Sequence, residues 1–288
     1  RMLNSPKAQN LIDIFAAEWL NFDTDVDFSA TFPSSHELTE ELANAESTAF
    51  ASFIIQNNLS VSELVEADYT FLNDSLIEYY QGDLSRPADD YSLRMHTWSD
   101  GVERRGLLGQ SSFLDGFALL RSRGLWVMKR LQCENPDRFF IGPDDSHPDI
   151  SNILLPDSYT DARARAEWFQ NVSPECQACH SQFEAIGFAL SNFVGARWSE
   201  NNSDGTPIDA SGTLPEGEFN GPIELASVLT QGPDLALCAI QYGMTYALGR
   251  QLDTFQFSRA DFFEARDANA VYSVYENTKE SGNRMQDI

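Results

Sequence analysis

Apolar residues recur at the spacing of a helix face through the first 85 residues, as in Leu11, Phe15 and Trp19. A serine or an asparagine, side chains that cap helix N-termini well, stands at the start of each apolar run. At Ser60 the cap is followed three residues later by Glu63, which makes a capping box. The pattern therefore predicts a helical N-terminal domain of four helices, starting at Ser5, Ser35, Ser60 and Asn73.

The rest of the chain alternates between loop-like and helical stretches. Residues 83–110 lack a helical period and are the predicted domain boundary. Helical spacing returns over 114–131, and the prolines of 136–157 predict an irregular loop. In a glycine-rich loop, Ile208 and Leu214 are predicted to pair as a small hairpin. We therefore expect a mainly α protein, with further helices over 162–169, 183–193, 222–229 and 235–248, and a weak helix after residue 258.

Composition indicates a globular chain of 288 residues, since 42% of them are hydrophobic and 12% are aromatic. No apolar run approaches the ~20 residues that a membrane-spanning helix needs, so no membrane span is predicted. The formal net charge of −25 disfavours nucleic acid and anionic membranes as partners. An acidic surface is suited to a basic protein partner, although solubility alone explains the charge equally well.

The motif that carries chemistry is Cys176-Gln177-Ala178-Cys179-His180, which has C-x-x-C-H spacing. Two thiols three positions apart can bond the two vinyl groups of one porphyrin, and the next histidine supplies an axial iron ligand. A thioredoxin-like dithiol competes with this interpretation, but the flanking pattern is not a βαβ unit. A zinc site would need Cys133, Cys238 or the scattered histidines as further ligands, and their spacing is not typical of zinc. The motif thus favours one covalent haem c.

Residues on both sides of the motif carry a family resemblance. Upstream they are 105–108 and 123–127. Downstream they are Ile186-Gly187-Phe188-Ala189-Leu190, Arg197-Trp198, Pro207-Ile208-Asp209-Ala210-Ser211-Gly212, Gly221-Pro222, Cys238 and Tyr246-Ala247-Leu248-Gly249-Arg250. Over 173–250 the chain closely resembles the planctomycete-type cytochrome C domain family, found in large secreted bacterial proteins.

The first 85 residues resemble the helical domain that usually precedes that cytochrome domain, through Trp19-Leu20 and residues 67–73. The resemblance implies a helical companion domain over 1–85, a cytochrome c-like haem domain over 86–255, and the start of a truncated helical region over 256–288. It also implies a periplasmic or extracellular location. Because the sequence opens without an export leader, we interpret it as a piece of a longer, processed chain.

Two positions depart from the family pattern. Glu184-Ala185 stands where relatives usually have Asp-Pro, and Gln170 stands where many have histidine. If that histidine is an iron ligand or a proton donor in relatives, the role is lost in this chain.

The sixth iron ligand has several candidates. Met244 lies 64 residues after His180, a separation similar to that between the two axial ligands of small class I cytochromes c. It can equally be a core residue of its helix, since methionine commonly fills cores. The alternatives are an open position or one of the residues His36, Met95, His96 and His147.

Three further expectations concern the surroundings of the haem. Arg197 and Trp198 are candidate propionate partners, with a surface salt bridge and a core aromatic as the alternative. Cys133 and Cys238 are expected to form a disulfide, because haem c is attached where disulfides persist, and two buried thiols are the alternative. The aspartates of the late loop are interpreted as turn residues rather than calcium ligands, because they lack EF-hand alternation; they are Asp204, Asp209 and Asp234.

The expected function is one-electron transfer by a single haem c, held by Cys176 and Cys179 with His180 on the iron, to or from a redox protein partner. One alternative is a peroxidase-like or oxidative haem enzyme, which needs an open distal site. Another is the haem module of a larger secreted assembly that self-associates or carries further domains. The single haem and the lack of an obvious distal histidine favour electron transfer over catalysis.

Overall fold

The computed structural model describes residues 8–20, 40–81, 92–98, 102–117, 119–134, 162–256 and 265–288. These residues are 60% helix and 12% strand, so the mainly α prediction is confirmed. The α-helices within them are α1 Gln9–Leu20, α2 Glu40–Gln56, α3 Glu63–Glu66, α4 Asp74–Tyr80, α5 Ser111–Gly116, α6 Leu120–Leu131, α7 Ala162–Gln170, α8 Pro174–Phe188, α9 Pro222–Gln231, α10 Asp234–Leu248 and α11 Ala268–Thr278.

Short antiparallel strand pairs punctuate these helices. They are β1 Tyr69–Leu72 with β2 Arg94–Thr97, β3 Phe193–Val194 with β4 Arg197–Trp198, and β5 Ser211–Leu214 with β6 Gly217–Asn220. The first pair corrects the prediction of an entirely helical N-terminal domain followed by a loop. In β1, Thr70 and Leu72 point inward while their neighbours are half-buried, which is the two-residue period of a strand.

The predicted hairpin forms with a different partner strand. Leu214 lies in it, but Leu214 pairs with Gly217 around a turn at Pro215 and Glu216, and Ile208 lies outside both strands. The prediction was therefore right about the hairpin and wrong about its register, which a two-residue turn sets.

Local capping signals had mixed outcomes. Asn73 caps α4 as predicted, its side-chain oxygen accepting a hydrogen bond from the Leu76 N–H at 2.9 Å. The capping box at Ser60 opens only the single turn α3, and the Ser62 side chain that precedes it makes no cap hydrogen bond. The third helix is therefore one turn long because the chain turns at once into β1.

Most of the buried apolar side chains form one cluster that runs through both halves of the chain. It includes Phe50 of α2, Phe113 of α5 and Ile186 of α8, all fully buried. The division into three domains stays a prediction. A smaller cluster lies between α10 and α11 and consists of Ile240, Leu252, Ala265, Ala268 and Val271.

The helix that carries the haem-type motif is fixed against α6 by two glycines. A Cβ added to Gly124 would lie 1.9 Å from the carbonyl oxygen of Phe183, and one added to Gly187 would lie 2.3 Å from that of Leu120. Neither position has room for a side chain, so the two backbones approach each other directly. The carboxyl half of α8 is thereby anchored in the core.

Within the described residues, no single helix has the length and apolarity to cross a membrane. The consecutive helices α9 and α10 reach that length and apolarity only when they are taken together, and the pair is bent by 72° at the break between them.

A buried polar network joins the N-terminal helices to the segment before α5. The carboxylate of Glu46, fully buried, accepts hydrogen bonds from the Thr70 hydroxyl at 2.8 Å and the Tyr80 hydroxyl at 2.7 Å. The buried guanidinium of Arg104 lies 4.6 Å from the centre of the Tyr80 ring. Burial raises the pKa of Glu46 to about 7, although these hydroxyls and Arg104 act in the opposite direction.

The free energy of unfolding is expected to fall as the pH rises from 4.5 to about 7. Because the pKa of Glu46 is higher in the folded state than the ordinary 4.5, the folded chain binds the proton more tightly. Between these two values the free energy of unfolding should therefore decrease with pH, by about 3 kcal/mol in total. Glu46→Gln keeps an oxygen acceptor without the charge, so it should be more stable than the wild type at pH 8 and equal to it at pH 4.

Urea unfolding at several pH values measures this difference. Burial also raises the pKa of Asp115, to about 6, so some of the slope remains in the variant. An unchanged slope in Glu46→Gln would show that Glu46 is not the titrating group.

Candidate functional site

The C-x-x-C-H motif lies in the first two turns of α8. The Ser173 side-chain oxygen accepts a hydrogen bond from the Cys176 N–H at 3.1 Å, and Pro174 occupies the first helical turn. The prediction that the helix starts at residue 183, after the motif, was therefore wrong. Ser-Pro is a helix-start signal, and at residues 173 and 174 it could have corrected the prediction.

The described cysteine of the motif takes no part in a disulfide. Cys176 is a free, half-buried thiol. The backbone of Cys179 is helical, and its side chain lies outside the described part of the structure. Cys176 and His180 are four residues apart in one helix, so they share a face. The motif thus presents a thiol and an imidazole on the same side of α8.

The imidazole of His180 is bound on one side by a buried carboxylate. Its Nδ1 lies 2.7 Å from Oε1 of Glu184, one helical turn later. The Glu184 side chain is 2% exposed, whereas that of His180 is 22% exposed. The other carboxylate oxygen of Glu184 accepts a hydrogen bond from the Gln170 amide at 2.7 Å. A carboxylate at Nδ1 favours the tautomer with the hydrogen on that nitrogen, in which Nε2 keeps a free lone pair.

Two aromatic rings fix the orientation of this imidazole. The Phe169 ring is stacked on the His180 ring with centroids 6.1 Å apart and an interplanar angle of 13°. The Phe183 ring contacts it at 5.2 Å with a tilt of 47°. These two contacts give the His180 ring a defined plane.

The described side chains of the motif, those of Cys176 and His180, fit a covalently attached haem. The thiols of Cys176 and Cys179 would form the thioethers, and Nε2 of His180 would be the axial ligand. The fit rests on the free thiol and on an imidazole whose Nδ1 contacts a carboxylate, a contact that favours the metal-binding tautomer. Among the described side chains, no group of three or more His, Cys, Asp or Glu residues is arranged to hold a metal ion.

A cleft of about 750 Å³ lies beside the motif helix, between α7, α8 and the β5–β6 hairpin. Gln170 and Ser181 line it, as does Phe188, whose ring lies 4.3 Å below the guanidinium of Arg163. Arg163 also donates a hydrogen bond to the Ser211 carbonyl at 2.7 Å. The cleft therefore reaches the amide that holds Glu184.

Arg197 and Trp198 form strand β4, in the hairpin that follows α8. Arg197 is exposed, and the half-buried Trp198 packs edge-to-face on Phe193 with centroids 5.0 Å apart. This contact gives Trp198 a packing role. The role of both residues toward a haem propionate stays a prediction.

The candidate sixth ligands are dispersed. Met244 is half-buried and packs against the cluster between α10 and α11, the placement of a core methionine. His96 lies in β2 beside Trp98, and Met95 is 48% exposed there. His36 and His147 lie outside the described residues. A ligand role for Met244 stays a prediction.

The two remaining cysteines form the expected disulfide. Cys133 follows α6 and Cys238 lies in α10, with their Cα atoms 5.1 Å apart. Because both sulfur atoms are in this bond, neither cysteine has a thiol to bind zinc, which counts against the competing zinc interpretation.

The late loop is rich in turns, as predicted. The carboxylate of Asp204 accepts a hydrogen bond from the Thr206 N–H, and that of Asp209 accepts one from the Ser211 N–H, both at 2.9 Å. These are Asx turns. Asp234 lies in the first turn of α10.

Glu184 and Gln170 are the site residues that sequence reasoning missed. Both were noted only as departures from a family pattern. The four-residue spacing from His180 to Glu184 could have predicted the contact between these two side chains, because residues four apart on a helix are neighbours. No comparable signal marked Gln170, because its contact depends on how α7 packs on α8.

Comparison with known proteins identifies two consecutive families. Residues 1–81 match the family PSD4, described as a protein of unknown function (DUF1592). Residues 104–200, which include the motif and Glu184, match the family PSCyt3, described as a protein of unknown function (DUF1588). No curated protein and no solved structure matches the chain.

Proposed function

Since the chain belongs, over residues 1–81 and 104–200, to planctomycete cytochrome c-type domain families, we propose that it is a mono-haem cytochrome that transfers single electrons to or from a protein partner. The haem is attached through Cys176 and Cys179, with His180 on the iron. The observation that carries the proposal is the contact between Nδ1 of His180 and the buried Glu184, because it leaves Nε2 free to bind a metal.

The residues of the site have separate tasks. A bound haem supplies a one-electron ferric–ferrous couple. His180 binds it, Phe169 and Phe183 hold the imidazole plane, and Glu184 accepts the Nδ1 hydrogen bond. None of these tasks involves a substrate. The set of tasks is therefore compatible with electron transfer.

The disulfide and the charge support the proposed location and the proposed partner. Families of this type are typically extracytoplasmic, and the Cys133–Cys238 bond supports an oxidising compartment. A formal net charge of −25 would attract a basic redox partner at long range and raise the rate of encounter. We therefore place electron transfer in the periplasm or outside the cell, with a basic protein partner.

Absorption spectra of the protein exported from a haem c-attaching host test this function. The expected result is a set of sharp α and β bands in the dithionite-reduced protein that persist after denaturation, with little change under carbon monoxide. Absence of haem bands would refute the proposal and return the motif to dithiol chemistry.

A haem enzyme is the second candidate, and the position of Met244 favours it. Met244 packs against the cluster between α10 and α11, as a core methionine does, and this placement supports an open sixth position more than a Met244 thioether. An open sixth position permits chemistry at iron. A high-spin spectrum with a large carbon monoxide shift would select this candidate over electron transfer.

A further inference from the structure

We propose that Glu184 is a positioning residue that lowers the midpoint potential of the haem through His180. The inference rests on the proposed function, because it requires His180 to be the axial ligand. The inference adds a way in which this chain sets the midpoint potential of its haem, and with it the partners to which the haem can give electrons.

The geometry gives Glu184 a direct hold on the imidazole. Its Oε1 lies 2.7 Å from Nδ1 of His180, the distance of a charge-assisted hydrogen bond. The carboxylate is almost completely shielded from water, at 2% exposed, so its interaction with the ring is weakly screened. Both residues lie on α8, which keeps their spacing fixed.

A second residue fixes the carboxylate itself. The Gln170 amide donates to Oε2 at 2.7 Å, so each oxygen of Glu184 has one partner. Gln170 belongs to α7, which packs on α8 next to the motif. The three side chains form a series of two hydrogen-bonding contacts, from the Gln170 amide to the Glu184 carboxylate and from there to the His180 imidazole.

The direction of the effect follows from the acceptor. A carboxylate that accepts the Nδ1 hydrogen makes the imidazole a more basic ligand. A more basic axial ligand stabilises the ferric state relative to the ferrous state, and a buried negative charge near the iron acts in the same direction. Glu184 should therefore keep the midpoint potential lower than an uncharged acceptor would.

Three variants separate the hydrogen bond from the charge. Glu184→Gln replaces the carboxylate with an amide of the same shape. The double variant Glu184→Gln with Gln170→Glu keeps the carboxylate–amide pair and its charge, but turns the amide toward His180. Glu218→Gln removes one carboxylate from the exposed rim of the same cleft and serves as the control.

The measurement is a redox titration followed by haem absorption. Glu184→Gln should shift the ferric–ferrous equilibrium toward the ferrous state at least tenfold, which is about 59 mV for a one-electron couple. The double variant should also raise the potential, but by less, because it loses the carboxylate contact with His180 and keeps the buried charge. Glu218→Gln should change the equilibrium less than threefold.

Two outcomes would overturn the inference. If the double variant has the wild-type potential, buried charge alone sets it and the contact with His180 is irrelevant. If Glu184→Gln and Glu218→Gln shift it equally, Glu184 has no special hold on the iron. Should Glu184→Gln fail to fold, the double variant retains the buried pair and gives the same test. A wild-type protein without haem would instead refute the proposed function.

Discussion

Replacing both Cys176 and Cys179 by serine is expected to abolish covalent haem attachment and leave the fold in place. A serine hydroxyl does not add to a porphyrin vinyl group, so neither thioether forms. Cys176 is half-buried in the first turn of α8, and serine has a helix propensity close to that of cysteine. Haem staining after denaturing electrophoresis should change from one haem per chain to none, while circular dichroism should still show a mainly helical protein.

The disulfide pair provides the matched control. Replacing Cys133 and Cys238 removes the same number of sulfur atoms, but neither thiol lies in the motif. That variant should retain its haem stain. Persistent staining of the variant that lacks Cys176 and Cys179 would mean that the haem is attached elsewhere in the chain, and the assignment of the motif would fail.

The second large effect is expected in stability. Replacing Cys133 and Cys238 together by alanine should lower the free energy of unfolding by about 2–5 kcal/mol. The bond spans a sequence separation of 105 residues, so its loss greatly increases the freedom of the unfolded chain. Alanine is chosen because Cys238 is completely buried, where a serine hydroxyl would need a new partner.

Urea unfolding of the alanine variant beside the wild type measures this loss. Glu218→Gln is the control, since it changes an exposed side chain that takes no part in the disulfide or the motif. Equal unfolding midpoints and slopes for the wild type and the disulfide variant would show that the bond adds no stability. In that case the packing of α6 and α10 would hold the segments together without it.

Local signals in the sequence were sufficient for several helices. Pro222 opens α9 as predicted, and Gly249 ends α10 in the left-handed conformation, with φ of 62°. These ends depend on residues within one turn of them. The pairing of Tyr69–Leu72 with Arg94–Thr97 depends on a contact between segments that are distant in sequence, and four-residue runs give too little period to predict it.

The site shows the same division between local and distant information. Cys176, Cys179 and His180 were predicted as the haem site from the C-x-x-C-H spacing, which is local in the chain, and their role toward a haem stays a prediction. The contact between His180 and Glu184 is also local, and the helical spacing could have indicated it. The contact from Gln170 could not be predicted, because it joins two helices.

The Cys133–Cys238 bond closes a ring of chain that contains the whole motif, since residues 176–180 lie between its two ends. A single cut by a protease inside that ring would give two pieces of chain that the disulfide still joins. The piece that carries the motif would therefore stay attached to the other piece. The two pieces would separate on a denaturing gel only after reduction. If the protein lies outside the cytoplasm, as proposed, a proteolytic cut inside the ring would therefore not release a haem attached at the motif.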